Sequence, residues 1–321
     1  MSPTDLACVG ESFEDLIFAG LERLPRLGEE LRTKSFVRTY GGGATITAVA
    51  AARLGVSTRI VSALADGAVA RLREEGVLVT NLRKRDELHA ITAALSTPKD
   101  RAFATFDGIN AELGPRFVKS LGLVQARIVH CALCPRDIPP LVRALRALRA
   151  RGVRVSLDFG YDLNLARDPL LLDLIAEADF LLINEEEAKL YAKRRSLAQA
   201  ESFWKQYARN TVIKLGANGS RWMSPRGSVE EAAPKVRPLD TTGAGDAFNA
   251  GFLAGLLSGL PPRRTLRLGN TVGARSTRAV GGLDGLPCIE DLYPARSAEG
   301  RESPGRAVSA AGVSEEAAER R

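Results

Sequence analysis

The stretch Asp240-Thr241-Thr242-Gly243-Ala244-Gly245-Asp246-Ala247-Phe248 decides how the rest of the chain is read. Gly243, Ala244 and Gly245 leave backbone N–H groups uncovered by side chains. They stand at the mouth of a segment, Ala247 to Leu257, that is apolar almost throughout and reads as a buried helix. A helix amino end with bare amides binds anions, because its unsatisfied donors and the macrodipole point the same way. Asp246 lies in that first turn. A carboxylate there favours the dipole of any helix, and beside an anion site it can also deprotonate an attacking hydroxyl. A phosphate cradle next to a base points to phosphoryl transfer.

Working outward, apolar strand-like runs alternate with helical periodicity. The strands are expected at 6–9, 59–62, 128–130, 153–157, 180–183 and 211–215, with helices around 44–54, 68–75, 137–151, 169–177 and 196–208. Continuous apolar strands separated by amphipathic helices predict a mostly parallel sheet covered on both faces, a three-layer α/β/α arrangement. Ligands on such sheets bind beyond the carboxyl ends of the strands. Two regions break the alternation, 12–40 and 86–107, with short period-2 strands expected at 28–40 and 87–106. In the second, a turn at Pro98-Lys99-Asp100 suggests a hairpin. Together they predict a small β-sheet lid. The domain is expected to span 1–295. The Ser-, Gly-, Ala-, Glu- and Arg-rich remainder, 296–321, has almost nothing to bury and reads as a disordered tail.

The bulk properties narrow the classes. A chain of 321 residues with 45% hydrophobic and 26% charged residues buries a large core, and no apolar run approaches a membrane span. The amino terminus lacks a signal-peptide pattern, so a cytoplasmic location is expected. Net charge is +7, but the arginines are scattered. The group Arg143, Arg146, Arg149, Arg151 and Arg154 interleaves with Leu145, Leu148 and Val153 as the solvated face of a helix running into a strand. No nucleic-acid partner is expected. The positive surface can still attract anionic nucleotides. Cys131 and Cys134 form a Cys-x-x-Cys pair at a strand end without a second ligand pair, and read as structural or substrate-facing thiols rather than a redox motif. His89 and His130 are the only histidines, which argues against a His-rich metal site. Neither a Gly-x-Gly-x-x-Gly turn after the first strand nor a Gly-x-x-x-x-Gly-Lys-Ser/Thr loop is present, which excludes the common dinucleotide and P-loop architectures.

Four ordered motifs resemble the ribokinase-like (PfkB) family of sugar and nucleoside kinases. They are Gly41-Gly42-Gly43 followed by 48–55, Asn184-Glu185-Glu186-Glu187 after a strand, Lys214-Leu215-Gly216-Ala217-Asn218-Gly219, and the 240–248 stretch. The resemblance covers nearly the whole chain to about residue 295. It implies an α/β sheet sandwiched by helices with a β lid, and an ATP- and Mg²⁺-dependent kinase acting on a hydroxymethyl group of a sugar, sugar acid or related small alcohol. It makes Asp246 the general base and gives the amides of Gly243, Ala244 and Gly245 to the phosphates. Asn184 and Glu187 would organise Mg²⁺ and the triphosphate through water. Lys214, Gly216 and Gly219 would line the nucleotide, with Asn270 near the adenine. A monovalent cation, often K⁺ in the family, would sit behind the anion hole on Asp240, Thr242, Ser276, Ala279 and Gly281. Asp15, with Gly41, Gly42 and Thr45, would hold the acceptor. Lid strands in this family sometimes pair across a homodimer.

Plainer readings stand beside these. Asp240 reads equally as a turn former, Asn184 as a strand-end turn, Glu186 can substitute for Glu187, and Lys214-Leu215-Gly216 alone is a strand entering a turn.

The acceptor side departs from the resemblance. Phe13 and Ile46 stand where the family commonly has asparagines, and the 62–68 segment is shorter than usual. Fewer buried hydrogen-bonding groups relax the demand for a polyol; Thr45 and Thr47 could supply replacement hydroxyls. Two alternatives follow: a nucleoside kinase, with Phe13 stacking on a base, or a catalytically weak ligand-binding homologue.

Overall fold

The computed structural model describes residues 2–97 and 101–292. The expected domain end at 295, the tail 296–321 and the turn at Pro98-Lys99-Asp100 lie outside them. From the amino end the chain forms β1 (Thr4–Gly10), β2 (Phe13–Ala19), β3 (Ser35–Gly41), α1 (Gly43–Arg53), β4 (Thr58–Ser62), α2 (Asp66–Glu74), β5 (Leu78–Asn81), β6 (Ile91–Ser96) and β7 (Arg101–Phe106). It continues through α3 (Gly114–Leu121), β8 (Ala126–Ala132), α4 (Ile138–Ala150), β9 (Arg154–Asp158), α5 (Leu163–Arg167), α6 (Leu171–Ala176), β10 (Phe180–Asn184), α7 (Glu185–Ala192) and α8 (Leu197–Tyr207). The last part is β11 (Thr211–Lys214), β12 (Ser220–Ser224), β13 (Gly227–Glu231), α9 (Ala244–Leu257), α10 (Pro262–Ser276) and α11 (Ile289–Leu292).

The main sheet runs β13-β12-β11-β10-β9-β8-β1-β4-β5. Its strands from β5 to β11 are parallel, and β12 and β13 close one edge as an antiparallel hairpin. Successive strand residues point to opposite faces. Accordingly Ala7, Val9, Val129, Cys131, Val155, Leu157, Leu181 and Ile183 enter one core, beneath α3–α8. Leu6, Cys8, Ile60, Ile128, Leu182 and Val212 enter the other, beneath α1, α2, α9 and α10. Burial on both faces is why these strands read as unbroken apolar runs. The arginine-bearing helix α4 buries Leu141, Leu145 and Leu148 and turns Arg146 and Arg149 outward to Glu177.

The lid is a four-stranded sheet ordered β3-β2-β6-β7. Its first strand is 13–19; residues 28–34, expected to be extended, form an irregular connection, and the strand begins only at Ser35. In the lid, β2 and β6 run parallel while both outer pairs are antiparallel. Phe13 pairs opposite Gly41, so the lid's root meets the glycine run that leads into α1. The shortened 62–68 segment starts α2 at Asp66, and a side chain at Gly67 would collide with the Tyr40 hydroxyl of β3. That segment and the lid are thus packed directly together.

Candidate active site

The site forms where the parallel strands end. Gly10 of β1, Ala132 of β8 and Asp158 of β9 share one register row, and Asn184 and Lys214 pair at the ends of β10 and β11. Facing them is the amino end of α9, whose cap residue Gly243 has φ 74° and no side-chain cap. That left-handed backbone favours glycine. A Cβ at Gly243 would also lie 2.6 Å from Ile46 Cδ1. Ile46 is 3% exposed and packs against Gly243. The Ala244 N–H, expected to face the anion, instead closes a turn on the Thr241 carbonyl at 3.2 Å. Among the described residues no backbone carbonyl accepts from Gly243 or Gly245, nor from Asp246, so the two glycine amides are open donors.

Asp246 is partly exposed in the first turn of α9. One carboxylate oxygen lies 3.0 Å from where a Gly43 Cβ would stand, as does the Ala132 methyl, so this carboxylate rests between the start of α1 and the end of β8. Its backbone is fixed from below by Thr47, whose hydroxyl donates to the Asp246 carbonyl at 3.1 Å. Burial, reinforced by Asp158 and Glu187 and opposed by Lys214, raises the Asp246 carboxyl to about 7.

Beside it lies a buried polar network. Lys214 Nζ donates to Asp158 Oδ2 at 2.7 Å and to Asn249 Oδ1 at 3.4 Å, and Asn249 Nδ2 donates to the same Asp158 oxygen at 2.6 Å. Burial works against the charge on Lys214, but Asp158 and Glu187 outweigh it and raise its pKa. Burial likewise opposes ionisation of Asp158, yet Lys214 and Asn249 hold its pKa below the ordinary value. Glu187 is shifted up by burial, with Asp158 adding to the effect. Asn184 and Glu187 form a capping box on α7: Asn184 Oδ1 accepts the Glu187 N–H at 2.9 Å, and Glu187 accepts the Asn184 N–H at 2.8 Å and its amide at 2.7 Å. Asp158 and Asn249 were not singled out from sequence. Each had a signal: a carboxylate ending an apolar strand, and an amide one helical turn after Asp246 in an otherwise apolar helix.

Three carboxylates around one ammonium leave an excess of negative charge, which fits a hydrated divalent cation. No group of three acidic, histidine or cysteine side chains among the described residues stands close enough to ligate an ion directly. With Asn184 and Glu187 also bound to each other, Mg²⁺ fits here through water.

Two cavities open near the strand ends, one of them against the α9 amino end. One, of about 570 Å³, is lined by Lys214, Gly216, Gly219, Val236, Gly245 and Asn270, bringing all the expected nucleotide residues of the 214–219 turn together with α9 and α10. Asn270 is buried and its amide donates to the Glu231 carbonyl at 2.9 Å, which ties α10 to β13. The other, of about 410 Å³, is lined by Glu11, Asn110, Phe117, Leu133, Cys134 and Leu141, immediately past the ends of β1 and β8. Burial, with a contribution from Asp107, raises Glu11 to about 7. Asp15 reaches Gly41, where any side chain would collide with its carboxylate, and burial raises it to about 6. Gly42 has φ 95° and its α-carbon faces the Glu11 carbonyl. Thr45 is fully buried and its hydroxyl is taken up by Ser12 at 2.9 Å. The cysteines Cys8, Cys131, Cys134 and Cys288 are all free thiols.

The residues expected around a monovalent cation converge. The Asp240 N–H donates to the Thr277 carbonyl at 3.1 Å, Gly281 N–H donates to Asp240 Oδ2 at 3.0 Å, and the Ser276 carbonyl and Ala279 both lie against Gly285. The position is nevertheless taken up by a side chain. Arg101, from the lid, donates to Asp240 Oδ1 at 2.6 Å and to the Thr242 hydroxyl. These residues do not fit a second, free cation beside that guanidinium.

Comparison with known proteins agrees with this geometry. The chain is 27% identical to a ribokinase of Bacillus subtilis (strain 168) over 90% of its length and 98% of that protein's. It is 26% identical to a nucleoside kinase of Methanocaldococcus jannaschii over 88% and 93%. The structure of Arabidopsis thaliana ribokinase complexed with ribose and ATP superposes with a TM-score of 0.72 at 22% identity, covering 91% of this chain and 98% of that one. Residues 3–288 match the pfkB family carbohydrate kinase profile. With that match spanning both sheets and the helix that carries Asp246, the chain belongs to the pfkB family of carbohydrate kinases.

Proposed function

We propose that the protein transfers the γ-phosphate of ATP to a hydroxymethyl group of a sugar, sugar acid or related small alcohol. The observation that carries this reading is the seat of Asp246, a carboxyl raised to about 7 in the same helical turn as two open amides and next in the chain to Gly245, which lines the cavity shared with Lys214, Gly216 and Gly219. The triphosphate enters from the side of Lys214, Gly216, Gly219 and Asn270, and the acceptor from the side of Asp15, Gly41 and Gly42. Asp246 takes the proton from the acceptor hydroxyl as its oxygen bonds to the γ-phosphorus and the bond to the β-phosphate oxygen breaks. The Gly243 and Gly245 amides receive the charge that develops on the migrating group. Asp158 and Asn249 hold Lys214 over Gly245, whose Cβ position lies 3.4 Å from the ammonium. Glu187 and Asn184 would hold the waters of Mg²⁺, which when bound neutralises phosphate oxygens.

The test is Asp246→Asn against a broad panel of hexoses, pentoses, keto-sugar acids and nucleosides. Loss of ATP-dependent phosphorylation with retained nucleotide binding is expected; undiminished turnover would remove Asp246 from the mechanism.

A nucleoside acceptor is the second reading. It is favoured by Phe13 at the lid's root and by the largely apolar lining of the 410 Å³ cavity, which suit a flat ring better than a polyol. The same panel separates the two. The lid's two outer strands leave Phe36, on β3, and Phe103 and Phe106, on β7, exposed, and a lid-to-lid homodimer would cover part of this apolar surface. A monomeric mass by light scattering at micromolar concentration would refute it.

A further inference from the structure

We propose that Arg101 is the resident cation of the anion-hole loop, a positioning residue that takes the place of a free monovalent ion and ties the lid to the phosphate site. Asp240 is 8% exposed, and its carboxylate joins three segments. Oδ1 accepts the Thr242 N–H at 2.8 Å and the Arg101 guanidinium at 2.6 Å, while Oδ2 accepts the Gly281 N–H at 3.0 Å. Thr242, whose hydroxyl Arg101 also contacts, immediately precedes Gly243. The loop that presents the open amides is therefore clamped by this carboxylate.

A buried carboxylate next to a triphosphate site is unfavourable unless a positive charge accompanies it. Among the described residues, the ion pair recorded for Asp240 is with Arg101. Arg101 opens β7, the edge strand of the lid, and lies 139 positions away from Asp240 in the chain. Supplied this way, the charge cannot diffuse away and it arrives with the lid. A mobile ion gives neither property. Arginine suits the task because its planar fork reaches a carboxylate and a neighbouring hydroxyl together.

The inference rests on the kinase reading for its kinetic consequences but not for its cation binding, so the experiment has two arms. In the first, kcat and KM for ATP are measured in KCl, NaCl and N-methylglucamine chloride at fixed ionic strength. Wild-type kcat should vary by less than about twofold. Arg101→Ala should lose about 10–100-fold in N-methylglucamine chloride. It should recover most of that loss in KCl, because the vacated carboxylate becomes a cation site, and Arg101→Lys should retain activity without K⁺. In the second arm, melting of the ligand-free protein is followed in the same salts. K⁺ should leave the wild type unmoved and raise the Tm of Arg101→Ala by about 2–4 °C. A wild type that requires K⁺, or an Arg101→Ala variant as indifferent to K⁺ as the wild type in both arms, overturns the proposal. Should no acceptor be phosphorylated at all, the kinase reading fails and the melting arm still decides this one.

Discussion

The phosphate side and the acceptor side of the cleft are built differently. Around the amino end of α9, Lys214, Asp158 and Asn249 satisfy one another within 3.4 Å, Glu187 and Asn184 are locked in a capping box, and Thr47 holds the Asp246 backbone. On the acceptor side Asp15 stands against Gly41, Phe13 pairs opposite that glycine, and Leu133 is one of the apolar side chains lining the neighbouring cavity. A triphosphate presents the same charge in every kinase, so its site needs fixed donors and buried, mutually held charges. Acceptors differ in shape and hydroxyl count, and an apolar wall can be exchanged without leaving a buried polar group unpaired. Under the proposed function, the phosphate side carries the reaction and the acceptor side carries its selectivity.

The sharpest way to break this contrast is Asp246→Asn, expected to lower kcat by about 10²–10⁴-fold. In the wild type, kcat/KM should fall as pH drops below about 7, because the protonated base cannot accept the hydroxyl proton. Stability should move the other way. The native carboxyl is raised from 3.8, so the folded state binds the proton more tightly than the unfolded chain, and the stability this group contributes declines as pH rises from about 4 to 7. Asp246→Asn should therefore melt higher than the wild type at pH 8, with the difference shrinking toward pH 4. A variant that melts lower at pH 8 would contradict the assigned shift.

Next in size is Lys214→Met, which leaves Asp158 and Glu187 buried without their cation and should cost about 3–5 kcal/mol in urea unfolding. It should also move the rising limb of the pH profile upward, since Lys214 is the group that opposes protonation of Asp246. A smaller effect is expected for Gly243→Ala, about 1–2 kcal/mol from the left-handed backbone. Its new methyl would meet Ile46 Cδ1, so pairing it with Ile46→Val should restore part of the loss. Smallest in stability, but informative for selectivity, is Phe13→Asn. Restoring a hydrogen-bonding group should shift kcat/KM toward polyol acceptors by about 1–3 kcal/mol while leaving the KM for ATP unchanged. A change in ATP affinity instead would show that the two sides are not separable.

Much of this was legible in the order of residues. Strands and helices declared themselves because each strand between two helical layers must be apolar throughout, whereas outer helices such as α4 are apolar on one stripe and α1 and α9 are buried almost all round. The open-amide end of α9 was legible because bare amides demand small residues in a short contiguous run. Less legible were the lid's start, where β2 begins at Phe13 while residues 28–34 stay irregular, and the antiparallel edge β12–β13, because an exposed edge obeys no strict pattern. The share of each amide was not readable either: Ala244 turns its N–H to Thr241, although its side chain suits the anion hole as well as its neighbours' do.

The chain's own order determined which segments become strands and helices, the bare-amide amino end of α9 and the acid beside it, since these arise from patterns within a few residues. Only the tertiary structure decided that Asp158 and Asn249 hold Lys214, that Ile46 underlies Gly243, and that Arg101 reaches Asp240. Those partners lie far apart along the chain, and a buried charge finds its counterion through the packing of whole elements rather than through any local pattern.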